Sequence, residues 1–211
     1  PRPAFLAYPR RMHRLPVVLL VLCLQLLTGV PARAEAWQPA QQTVTYAVEG
    51  DTGIALSRSI GERGPELAGR RVTAYTHYKL LWTRRYRPQP DDSCVLAAAI
   101  PHLTIITTLP AAPARLSPAV AASWRRFIAG IKEHERFHAS EIVAMVKRIE
   151  AFSAGLSAPS DPGCSAVRAQ LQAYVISTVA DHEAASRAFD KAEWGDDGAM
   201  RKLVLDLVNG P

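Results

Sequence analysis

Residues 117–153 read SPAVAASWRRFIAGIKEHERFHASEIVAMVKRIEAFS. Ser117 followed by Pro118 is a helix N-cap with proline at the first helical position. No proline follows until beyond Ser153. Trp124, Phe127, Ile131, His134, His138, Ile142, Met145 and Ile149 recur at steps of three and four residues. That period predicts one long helix whose apolar stripe faces a core. Gly130 is a possible soft spot within it. Two members of the stripe are histidines, and neutral imidazoles placed in a core need polar partners.

A shared metal ion would supply those partners. Residues 134–138 are His-Glu-Arg-Phe-His, an H-E-x-x-H pattern. Positions i and i+4 lie one turn apart on one helix face, so His134 and His138 can address the same ion. Imidazole nitrogens at about 2.0–2.1 Å suit tetrahedral Zn²⁺. Glu135 sits beside the first ligand, where it can act as general base on a water activated by the metal. With six His and a similarly modest number of Glu in the chain, a chance match somewhere has odds of roughly 1 in 100.

A catalytic zinc needs a third protein ligand and an open position. No histidine follows in the compact extension of the motif, where Ile142, Val143 and Ala144 stand. The third ligand is therefore expected from a second helical pattern, running from about Ser165 to Ala192. Its end carries Asp181-His182-Glu183 and then Asp190. His182 continues the stripe of Leu171, Val175, Thr178, Ala185 and Phe189, and Glu183 lies beside it with Ser186 and Asp190. Glu183 is placed first, followed by His182 and Asp190, and the others could orient a ligating histidine.

Upstream of residue 117 the pattern is that of strands. Thr43 to Val48 alternates, and Thr52 to Glu62 suits a short helix. Arg71 to Tyr86 is rich in Val, Thr, Tyr and Trp, fitting one long strand or two shorter ones. Gln89-Pro90-Asp91-Asp92 is a turn. Cys94 to Ile100 and Leu103 to Leu109 read as two strands broken near Pro101. Leu156 to Gly163 reads as a loop. Strands followed by helices indicate an α+β domain, a mostly antiparallel sheet and then two long helices. His77 and His102 are read as structural, and Trp82-Thr83-Arg84-Arg85 as a solvated strand end.

The first 34 residues read as an address. Arg10, Arg11 and Arg14 precede an apolar run from Val17 to Leu27, and Ala32-Arg33-Ala34 is an A-x-A cleavage signal. The run is short of the roughly 20 residues that span a bilayer. The division is thus a signal peptide over 1–34 and one domain over 35–211, in the periplasm or secreted, with no stable membrane span after cleavage. The whole chain has 25 Lys and Arg against 19 Asp and Glu. Five of the basic residues and none of the acidic ones fall in that segment, which leaves 20 against 19. The basic pI therefore gives no support to nucleic-acid binding. Export leaves Cys94 and Cys164, which in an oxidising compartment pair as one disulfide. Neither lies in a C-x-x-C, and no G-x-S-x-G or phosphate-binding glycine loop is present.

With these residues in view, the chain resembles a family of uncharacterised secreted bacterial proteins. It is domain-of-unknown-function family 922, described as predicted zinc-dependent proteases of the zincin type. The resemblance runs from about Val44 to Asp190. It is carried by Tyr46-Ala47-Val48-Glu49-Gly50, Gly64-Pro65, Thr73 through Trp82, Cys94, Thr108-Leu109-Pro110, Trp124 ahead of the His134–His138 motif, Cys164 and Phe189-Asp190. It implies a zincin-like fold and a metallopeptidase acting on a peptide or protein of the cell envelope. In zincins an edge strand beside the active-site helix holds an extended peptide; Ile105 to Leu109 is the candidate. The resemblance departs from the family at Lys191 to Asp196, where the family continues with a Thr and a His-Gly. That departure keeps open a second reading, a catalytically degenerate zinc-binding envelope protein acting as a binding or scaffold module. Glu135 argues against it, because a purely structural zinc site has no use for that carboxylate. Oligomeric state is left open.

Overall fold

A computed structural model describes residues 37–210. The signal peptide expected over 1–34 lies outside them. Three strands, β1 (Ala40–Ala47), β4 (Tyr75–Pro88) and β5 (Cys94–Ala111), form the main sheet in the order β1-β5-β4. The two-residue β2 (Glu66–Leu67) and β3 (Arg70–Arg71) make a separate small hairpin. Four helices complete the domain: α1 (Gly53–Arg63), α2 (Pro118–Ser153), α3 (Ser165–Glu193) and α4 (Ala199–Val208). The α+β class stands.

The sheet is mixed: mostly antiparallel, as expected, with one parallel pairing. β4 and β5 form an antiparallel hairpin, and β6 (Ser157–Ala158) adds antiparallel to the start of β5. β1, however, pairs parallel with β5 from Ala40↔Thr104 to Ala47↔Ala111. Side-chain alternation carries no information on strand direction. The chain between β1 and β5 includes α1 and β4, long enough for the crossover that a parallel pair requires.

The two strands expected on either side of Pro101 are one continuous strand. Pro101 pairs with Trp82 of β4. It falls between the stretches where β6 and β1 pair, so on that side its missing N–H removes no ladder bond. β5 is consequently the central strand. The expectation that Ile105–Leu109 offers an edge to a peptide is overturned, because β1 and β4 occupy both of its edges. The Trp82–Arg85 cluster lies within β4, not at its end.

The long helix forms as its pattern dictates. Ser117 Oγ accepts from the Val120 N–H at 3.3 Å, and Pro118 opens the helix. The stripe from Trp124 to Ile149 is buried, with His134 in it and His138 partly buried. Gly130 is a contact, not a weak point: a Cβ there would collide with Leu203 of α4. α4 itself is an addition to the expected elements. Its Met200, Leu203, Val204 and Leu207 join Leu56, Trp124 and Phe127 in one core cluster. A second cluster sets Leu103 and Ile105 of the sheet against Ile142, Met145 and Ile149 of α2. A third surrounds the Cys94–Cys164 disulfide, which ties the start of β5 to the start of α3. No helix of the described residues is long and apolar enough to cross a membrane.

Candidate metal centre

α2 and α3 pack against each other, and their polar residues meet at one point. His134 and His138 come from successive turns of α2, and Asp190 comes from the last turns of α3. The two Nε2 atoms are 3.1 Å apart. Asp190 Oδ1 stands 2.9 Å from His138 Nε2 and 3.1 Å from His134 Nε2. Three ligand atoms of the kinds that bind metal thus face a common centre. Tetrahedral zinc ligands at 2.0–2.1 Å lie about 3.3–3.4 Å from one another. The triangle is a few tenths of an ångström tighter than that, which small rotamer shifts accommodate. Two imidazoles and one carboxylate therefore fit a divalent ion such as zinc.

The three residues considered for the third position are placed differently. Asp190 joins the histidines. Glu183 lines the cleft but does not join the cluster; its side chain is 59% exposed and 3.5 Å from Arg187. His182 is buried on the wall of the same cleft, its ring in edge contact with Tyr78 at 6.3 Å. Helix geometry explains the division. Residues 182, 186 and 190 share one face of α3 at four-residue steps, and only the last is level with both histidines. Ser186, one turn before Asp190, places Oγ 2.9 Å from His138 Nδ1. It can accept the Nδ1 proton and so leave the Nε2 lone pair facing the centre. His134 is held by packing: Phe189 stacks on it at 4.9 Å, and its Nδ1 is buried without a partner.

Glu135 points from α2 toward the sheet and is buried, with Oε2 unpartnered. Burial raises its pKa, more than the Thr76 hydroxyl and the imidazoles of His138 and His134 lower it. Burial opposes the charge on His138 too, but the hydrogen bond to Asp190 and that carboxylate's charge leave its pKa raised. Burial also pushes Asp190 up, and hydrogen bonds from both histidines outweigh it, holding the carboxyl well below the usual range. A buried base thus stands beside a carboxylate that stays ionised.

The cleft over this centre has a volume of about 680 Å³. One wall is β4 from Tyr75 to Tyr78, another is α3 from His182 to Asp190, and Trp194 lines it too. Thr76 and Trp194 had no signal in the sequence. Thr76 reaches the site only because β4 runs past α2, where its hydroxyl also meets Thr107 at 3.1 Å. The stretch Lys191–Asp196 puts Trp194 on the cleft wall. His77 stacks on Tyr75 at 5.2 Å and also lines the cleft, while His102 bonds Thr83 at 2.8 Å, away from it.

Neither a search of curated proteins nor one of solved structures returns a match. Residues 43–196 match the family described as a bacterial protein of unknown function, DUF922, a span of about three quarters of the chain that includes every residue of the centre, and the chain belongs to that family.

Proposed function

We propose that this protein is an exported zinc-dependent hydrolase that cleaves peptide bonds in the cell envelope. The observation that carries the reading is the convergence of His134, His138 and Asp190 beside the buried carboxylate of Glu135. A zinc ion held by those three residues would acidify a water and polarise a carbonyl. Glu135 is the proton carrier. Its raised pKa suits a group that takes a proton at neutral pH and passes it to a leaving amine. Ser186 keeps His138 in the ligating tautomer. Among the described residues β4 is the outer strand of the sheet and it lines the cleft, so an extended peptide can add to its edge. The buried disulfide supports export, since such bonds persist in oxidising compartments.

Two histidines and a carboxylate also suit iron(II). The buried Glu135, with Oε2 unpartnered, favours hydrolysis, because an oxygen-activating iron site has no need of a buried base. The test is a peptide-library digest with residues 35–211, wild type and Glu135→Gln, with zinc content measured on both. Hydrolysis should fall at least about 100-fold in the variant at unchanged zinc content. Hydrolysis that survives the substitution refutes the mechanism. A wild type that binds one zinc and cleaves nothing points to the degenerate binding protein.

A further inference from the structure

We propose that the open face of the sheet docks on a membrane of anionic phospholipids. α2 and α3 cover one face, against which Leu103 and Ile105 are buried. The opposite face carries Leu81 and Ile100, which are 73% and 50% exposed. The register pairs Leu81 with His102 and Thr83 with Ile100. Partners across a ladder share a face, so the two aliphatic side chains lie diagonally, about 7 Å apart. Along β4 the exposed positions alternate as Lys79, Leu81, Thr83, Arg85 and Arg87. The aliphatic pair is therefore flanked by cations along the same strand.

No Asp or Glu occurs in β1, β4 or β5. Among the described residues no ion pair engages Lys79, Arg85 or Arg87. The nearby Asp91 turns its carboxylate to the N–H and hydroxyl of Ser93. A face with one sign of charge and protruding aliphatic side chains matches a lipid surface. The cations meet headgroup phosphates and the aliphatic tips enter the interface. Nucleic acid would use the cations but gain nothing from Leu81 and Ile100. The stripe starts one residue after Tyr78, which lines the cleft. Successive residues of a strand point to opposite faces, so docking would leave the cleft, on the helix-covered face, turned away from the bilayer and, on the hydrolase reading, open to polypeptides of the envelope.

The experiment is vesicle co-sedimentation with residues 35–211, which contain all three core clusters and the disulfide. Vesicles of phosphatidylcholine alone are compared with vesicles holding a substantial fraction of phosphatidylglycerol, at low and high salt. Each basic residue near an anionic surface contributes about a fivefold gain in partitioning. Binding to the anionic vesicles should exceed that to neutral ones at least tenfold and weaken with salt. The triple change Lys79→Gln, Arg85→Gln, Arg87→Gln should remove that excess. The pair Leu81→Ser, Ile100→Ser should also lower binding several-fold, with the circular dichroism spectrum unchanged. The proposal is overturned by equal binding to both vesicles, or by binding that the aliphatic changes leave untouched and that heparin reproduces. Self-association that the same aliphatic changes abolish, without vesicle binding, would assign the face to a second copy instead. None of these outcomes depends on peptidase activity.

Discussion

Asp190→Ala is the substitution that most directly tests the centre. Asp190 Oδ1 lies within 2.9–3.1 Å of both imidazole nitrogens, and the side chain is 46% exposed, so its removal leaves a water-accessible gap and no collapsed core. Groups that only orient a ligand change metal affinity by about 10–100-fold. Loss of a ligand should therefore cost at least ~100-fold, or about 2.7 kcal/mol. The same quantity should appear as lost stabilisation at one free zinc concentration L far above both Kd values. A ligand that binds only the folded state stabilises it by RT ln(1 + L/Kd), so the difference between variants then equals RT times the logarithm of their Kd ratio. Glu183→Ala is the matched control. Its exposed side chain contacts Arg187 across one helical turn, and surface changes of that kind stay within about 0.5 kcal/mol. The assay is a competition titration against a chromogenic zinc chelator, with thermal unfolding at saturating and zero zinc. Asp190→Asn should fall between the wild type and the alanine variant. Near-wild-type zinc affinity in Asp190→Ala, together with a large loss in Glu183→Ala, would refute the assignment.

Ser186→Ala should weaken zinc binding about 10–100-fold in the same titration, with little change in the stability of the metal-free protein. Metal-free stability should depend on pH through the His138–Asp190 pair. Asp190 is depressed, so its contribution is present above about pH 4 and is lost as pH falls toward its folded value. His138 is raised, so its contribution is complete below about pH 6.5 and is lost as pH rises through its folded value. Denaturant unfolding of the metal-free protein should thus show the pair's support between those limits and a decline on either side of them. The zinc-loaded protein should instead gain stability as pH rises, because ligation requires deprotonated histidines. Replacing Cys94 and Cys164 together by Ala should cost roughly 4 kcal/mol by chain entropy for a closed loop of 70 residues, read from the denaturant midpoint.

Local patterns carried the helices and most strands. The stripe from Trp124 to Ile149 is period-coded, and Ser117-Pro118 marks its start within hydrogen-bonding distance of Val120. α4 was missed because ten residues after Gly195 and Gly198 show only a short amphipathic run, and its stripe has meaning only against Gly130 and Leu56. Pro101 suggested a break, and its place between the two neighbouring pairings removed the reason for one. The disulfide partners were legible because only two cysteines lie beyond the first 34 residues.

The H-E-x-x-H spacing by itself determined that two imidazoles share a helix face and that a carboxylate stands between them. That is helix geometry, and it holds wherever the helix is placed. The lack of a histidine in the compact extension of the motif likewise pointed to a few residues near the end of α3 as candidates for a third ligand. Which of them completes the centre depends on how far α3 slides along α2. A displacement of one turn, about 5.4 Å, would exchange Asp190 for the level of Ser186. That offset is decided by the packing of the whole domain, with the disulfide at one end of α3 and the aromatic contacts of Phe189 with His134 and Phe137 at the other. Direction of the β1 pairing and the choice of edge strand are decided in the same way. They follow from where distant segments meet, and alternation along a single strand does not encode it.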